Sequence, residues 1–188
     1  NLRRGRQALA RERYPDALDA FKEAVKLDPK SVEALHGAGL ASYHLGKPND
    51  AVAYLEKAYA LTNGGERRIV FNLAAAALKQ NPMRAVKVAR DYLARPTTGT
   101  DEQMLNLLGA ALNRAEDKTA SYYTDSRKFY FDYEKRLESA RRDGRRRWGT
   151  EWMPASDATS RWQAYEAKAA AVDSLRKDVD RAELRLKR

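Results

Sequence analysis

Cysteine is absent from the 188 residues. Disulfides, thiol catalysis, iron–sulfur clusters and Cys-based zinc sites are therefore excluded, while the redox compartment stays open. Histidine is nearly absent. The only two, His36 and His44, stand eight apart with no third nitrogen or sulfur ligand in sequence reach, so neither a metal nor a cofactor is expected. Long apolar runs are missing too. The longest strongly apolar stretch is Leu73–Leu78, six residues, and the mean hydropathy is −0.76, so the chain reads as soluble and without a membrane span. No glycine-rich phosphate loop and no serine in a nucleophile-elbow setting occur. The carboxylate pairs Asp101/Glu102 and Glu116/Asp117 fall at expected helix ends, where capping explains them. No catalytic constellation remains, and the chain is read as a non-enzyme. Ten glycines and six prolines are too few for collagen or a low-complexity segment.

What is abundant is positive charge. The net charge is +10, from 36 Lys and Arg against 26 Asp and Glu. Two windows hold most of the excess. Residues 1–13 carry five arginines against one glutamate, and residues 135–147 carry seven cations against two carboxylates. Such a surface favours acidic partners. The chain begins with Asn1 and ends on an open helical pattern at Leu184–Arg188, which predicts that the native start is absent and that the parent protein continues.

Small residues recur at one period. Gly5 and Gly39 are 34 apart, as are Ala17 and Ala51, Phe21 and Leu55, Ala24 and Ala58, and Ala51 and Ala85. The grammar is a small residue in a first helix, then Ala-x3-Phe/Leu-x2-Ala in a second. Two helices cross closely only where a small side chain lets the backbones approach. Gly5 and Gly39 are expected to face Ala17 and Ala51, with Phe21 or Leu55 plugging into the neighbouring pair. A helical hairpin of this kind leaves an apolar face uncovered, so hairpins must stack.

The arrangement resembles the tetratricopeptide repeat family, whose motif runs W-x2-L-G-x2-Y…A-x3-F…P. Unit one offers Gly5, Tyr14, Ala17, Phe21, Ala24 and Asp28-Pro29. Unit two offers Leu35 in the Trp slot, Gly39, Gly46, Ala51, Leu55, Ala58 and a closing Asn63-Gly64. Unit three has Val70-Phe71-Asn72-Leu73-Ala74 with Ala74 in the Gly slot, a shorter turn at Gln80-Asn81-Pro82, then Ala85, Ala89 and Tyr92. Unit four has Leu105-Asn106-Leu107-Leu108-Gly109, and its second helix departs from the pattern. The expected fold is all-α: a solenoid of stacked helical hairpins over 1–117, with first helices near 1–12, 31–45, 66–80 and 101–115. Second helices fall near 15–27, 49–61 and 82–94, with a lengthened, aromatic capping helix over 118–142. Pro15, Pro48 and Pro82 mark helix starts, and Arg95–Thr100 reads as a loop.

After residue 117 the period is lost. Gly149-Thr150 between two β-prone runs predicts a small Trp-containing hairpin over 143–155. A last helix follows over 156–188, capped by Ser156 or Asp157. In it Tyr165, Val172, Val179 and Leu186 fall every seven residues, with Leu175 and Ala182 between them and Lys168 interrupting the first turn. That is a coiled-coil-like seam, docked either on the repeats or on another helix, and it offers a route to oligomerisation.

The resemblance implies a non-catalytic scaffold or adaptor, part of a larger protein or complex, that takes a peptide or partner protein in the concave groove of its first helices. Carried over by position, the groove residues are Leu9, His36, Leu40, Tyr43, Phe71, Asn72, Ala75, Asn106, Ala110 and Asn113. Asn72 falls where family members bond a peptide backbone, since an amide supplies both donor and acceptor. The carboxylate clamp of one subclass is not intact, because its slots hold Leu2, Arg6, Gly37, Arg68 and Asn72. Two other readings stand beside this one. Arg141, Arg142, Arg145, Arg146 and Arg147, next to Trp148 and Trp152, form a basic patch able to grip phosphates and stack a base, although the tryptophans read first as packing. The chain also reads as a regulatory or assembly region of a larger enzyme.

Overall fold

Alanine and glycine at the crossings allow the helices to pair, and proline and short polar caps decide where each helix begins. A computed structural model describes residues 1–96 and 99–186, with side chains as far as 181. Thr97 and Thr98 of the expected loop, and the Leu186 and Ala182 side chains of the expected seam, lie outside the described residues. The helices are α1 (Leu2–Ala10), α2 (Tyr14–Leu27), α3 (Val32–His44), α4 (Pro48–Leu61), α5 (Arg67–Ala77), α6 (Pro82–Leu93), α7 (Glu102–Arg114) and α8 (Ser121–Ala140). A hairpin of β1 (Arg145–Trp148) and β2 (Glu151–Pro154) and a final helix α9 (Ala155–Leu186) complete the chain. Pro15, Pro48 and Pro82 occupy the first turns of α2, α4 and α6. Ser31, Asn81 and Asp101 accept the backbone N–H three residues on, at 3.3, 3.1 and 3.0 Å, and so cap α3, α6 and α7. The last helix begins at Ala155, ahead of its expected cap.

The chain divides into two compact units, residues 1–134 and 135–188. In the first, each helix from α1 to α7 packs on the next, and α1, α3, α5 and α7 also touch in sequence. This is a tetratricopeptide-like solenoid, with the first helix of every hairpin on one face. Phe21 shows how it is held. Its ring is 1% exposed and lies between Gly5 of its own hairpin and Gly37 of the next. A Cβ on Gly5 would meet the ring at 2.7 Å, and one on Gly37 at 2.5 Å. Ala17, one turn before Phe21, is buried in the same cluster, and Gly5 also accommodates the bulky ring itself. Gly39 does the same for Leu55, 2.6 Å from its would-be Cβ. Burying such a side chain contributes about 2–3 kcal/mol.

The second helix of unit four is not lost but delayed. Ser126, Tyr130 and Tyr133 repeat the small-x3-large-x2 spacing of Ala17, Phe21 and Ala24. Ser126 is fully buried, Tyr133 is buried, and the Tyr130 ring lies 2.9 Å from where a Gly109 Cβ would be. Arg90 of α6 donates to Ser126 Oγ at 3.1 Å, with its guanidinium over the Tyr122 and Phe129 rings at 5.0 and 5.9 Å.

In the second unit β1 and β2 pair antiparallel, Arg147 opposite Trp152 and Trp148 opposite Glu151. Gly149 has φ +60° at the first position of the two-residue loop, as a type II′ turn requires. The Trp148 ring meets Trp162 and Tyr165 of α9 edge-on at 5.9 and 6.3 Å, and Met153 and Ala158 are buried.

Candidate interaction face

The solvent sides of α1, α3, α5 and α7, which touch in sequence, form one of the faces that the stacking leaves open. Cross-helix pairs define it. Arg6 of α1 pairs with Glu33 of α3 at 2.7 Å, Asn72 of α5 bonds His36 of α3 at 2.8 Å, and Arg67 of α5 donates to Gln103 of α7 at 2.8 Å. Of the expected groove residues, Leu9, Leu40, Phe71, Asn72, Ala75 and Asn106 are half-buried, while Ala110 and Asn113 are exposed. Tyr43, also half-buried, carries the Lys79 ammonium over its ring at 4.4 Å, and Arg67 stands over Phe71 at 5.7 Å. The face therefore mixes apolar and aromatic patches with cations held against them.

His36 is buried and belongs to the wall rather than the open surface. Asn72 Nδ2 donates to its Nε2, which requires a neutral ring with the proton on Nδ1. Burial first, and the Arg68 charge second, lower the His36 pKa below its ordinary value. One end of the Asn72 amide is thereby committed to the wall. His44 stands apart from this pair, flat on Tyr14 with ring centroids 4.4 Å apart. Gly37, one of the clamp slots, admits no side chain because Phe21 fills the space.

Three ties between repeats were not legible as site features. Arg67 grips Asp101 through two hydrogen bonds of 2.5 and 2.9 Å, while Tyr133 O–H donates to Gly99 O at 3.0 Å and its oxygen accepts the Asp101 N–H at 2.8 Å. Burial pushes the Asp101 pKa up, but the Arg67 hydrogen bonds and the Met104 N–H outweigh it and leave the carboxyl below its usual value. Arg95 donates to the carbonyls of Asn63 and Gly64 at 3.0 and 2.6 Å, fixing a turn in which both residues have positive φ. Glu56 and Arg84 form an ion pair between α4 and α6. The signal for the first tie was present: Arg67 and Asp101 are one repeat length apart.

The basic run in the second unit is divided by its own fold. Arg147 is 5% exposed, and its backbone N–H donates to Glu138 at 2.7 Å. Arg141 pairs with Asp143 at 2.6 Å and lies over the Trp152 ring at 4.3 Å. Arg141 and the Arg145 N–H draw the Asp143 pKa down to about 2. Arg142, Arg145 and Arg146 remain exposed. Both tryptophans are engaged in packing, Trp148 on α9 and Trp152 under Arg141.

Residues 2–66 match the model of the tetratricopeptide repeat family. Over that stretch the chain is similar to tetratricopeptide repeats. No curated protein matches the chain. The match ends at the start of α5, but the tetratricopeptide packing continues through α7, and α8 supplies the last second helix. Tetratricopeptide repeats are protein–protein interaction modules, usually without catalysis. Among the described residues, no group of three His, Asp or Glu side chains is placed to hold a metal, and no helix is long and apolar enough to cross a membrane.

Proposed function

We propose that the chain is a scaffold or adaptor module that binds a peptide or partner segment along the first-helix face. The observation that supports it is the succession α1, α3, α5, α7, which touch in sequence and carry Leu9, Leu40, Tyr43, Phe71 and Ala75 together with the amides of Asn72, Asn106 and Asn113. A preformed face of packed helices loses little entropy on binding. Apolar anchors supply affinity, and the amides satisfy peptide groups. Lys79 over the Tyr43 ring favours a segment carrying carboxylates. The exposed Arg142, Arg145 and Arg146 add a second attraction for acidic partners.

The test is capture of binding peptides from a displayed library by the whole chain. Tyr43→Ala with Phe71→Ala is expected to weaken the selected peptides at least tenfold while circular dichroism stays helical. Undiminished affinity in the folded double variant overturns the groove reading.

A further inference from the structure

The side chains of α9 from Thr159 to Arg181 are all exposed. Tyr165, Val172 and Val179 recur every seven residues with Leu175 between them, and these are 52, 65, 56 and 65% exposed respectively. A lone helix gains little stability from propensity alone, and an apolar repeat of 3.5 residues is the pattern of two helices wound together.

The charges beside the seam identify the partner. Arg161 is paired with Glu151 at 3.1 Å, Lys177 with Asp173 at 2.8 Å and Arg181 with Asp178 at 3.5 Å. Glu166, Lys168, Arg176 and Asp180 make no ion pair among the described residues. That leaves two anions and two cations, so the helix complements itself. Orientation follows from Lys168, which occupies a seam position between Tyr165 and Val172. Two parallel copies would set Lys168 against Lys168 inside the seam, a like-charge contact that disfavours this pairing. Reversing one copy, with Val172 facing Leu175 of the other, removes that clash. Lys168 then lies beside the second copy's Val179, and the unpaired Arg176 is directed past the second copy's Ala169 toward its unpaired Glu166.

We propose that α9 binds α9 of a second copy of this chain as an antiparallel two-helix coil centred between Asp173 and Ser174. The contact is short, and its dissociation constant falls on the order of tens to hundreds of micromolar. Sedimentation equilibrium of the whole chain between about 10 µM and about 1 mM is expected to pass from 21.3 kDa to twice that mass. Val172→Asp with Leu175→Asp is expected to abolish the rise. Lys168→Glu, a surface change that leaves the fold alone, is expected to weaken association several-fold. A mass that stays monomeric throughout, or a dimer indifferent to the double variant, overturns the proposal. Because the chain has no cysteine, Ser160→Cys carries a unique spin label. Antiparallel pairing predicts a label separation of about 40 Å from the helical rise, and parallel pairing about 20 Å. The shorter distance overturns the orientation.

Discussion

Helices α3 and α9 share one chain and nearly opposite fates. Of the 13 residues of α3, eight are buried, whereas α9 runs 32 residues and is exposed throughout its described middle. The difference lies in small residues at crossings. In α3, Ala34, Gly37, Ala38, Gly39 and Ala41 let neighbours approach from several sides, so the helix is apolar nearly all round. In α9 the alanines Ala167, Ala169, Ala170 and Ala171 face no Phe21 or Leu55, and its apolar side chains form a single narrow line. Alanine favours helix in both places. Only the pairing of a small residue with a bulky one at repeat spacing converts helix into stacked hairpin. The repeats should therefore be costly to cut and α9 cheap to alter.

The largest effect should come from the shared ring. Phe21→Ala removes the side chain that touches both Gly5 and Gly37, and it is expected to destabilise the repeats by about 3–5 kcal/mol in urea unfolding. A loss under about 1 kcal/mol would break the comparison.

The Asp101→Asn change should come next. It weakens the Arg67 grip while keeping part of the cap, and because Arg67 is partly exposed the expected loss is about 1–2 kcal/mol. The folded-state pKa of Asp101 is depressed, so its contribution is present above the ordinary carboxylate value of about 4 and disappears as pH falls through the folded one. Denaturation of the wild type and the variant should converge in acid. A gap that persists undiminished below pH about 2 contradicts this assignment.

His36 carries a smaller, opposite lesson. Its folded-state pKa is lowered, so the unfolded chain binds the proton more readily. Stability should fall as pH drops through about 6.5, the ordinary histidine value. His36→Gln should flatten that slope between pH about 7 and 5. An unchanged slope means the proton goes elsewhere.

The smallest effect belongs to the exposed helix. Val172→Asp with Leu175→Asp should shift the thermal unfolding of the repeats by no more than the equivalent of about 0.5 kcal/mol. A larger shift would show that the two helices differ less than their exposures indicate.

The repeats were legible because their signal is local and periodic: Gly5, Ala17, Phe21 and their partners 34 residues on specify each crossing by residue size alone. The second helix of unit four reads as a helix over 118–142 but not as a repeat helix, because a longer turn after α7 displaces Ser126, Tyr130 and Tyr133 from the register, although their internal spacing is kept. Gly37 was visible as a missing clamp side chain but not as the far wall of the Phe21 ring, since that contact crosses between repeats. His36 read as a groove residue, and only folding shows that it is buried with Asn72 as its partner. The arginine run misleads for a geometric reason. A strand turns alternate side chains to opposite faces, so Arg146 and Arg147 part ways, and the second is buried while the first stays in water.

The central claim is that the uncovered side of the first helices is the binding surface. A photo-crosslinking residue at Ala110 on that side, and separately at Ala53 on α4, tests it with a library-selected peptide bound to the whole chain. Both positions are exposed. The account predicts crosslinking from position 110 and none from position 53; crosslinking from 53 alone would contradict it.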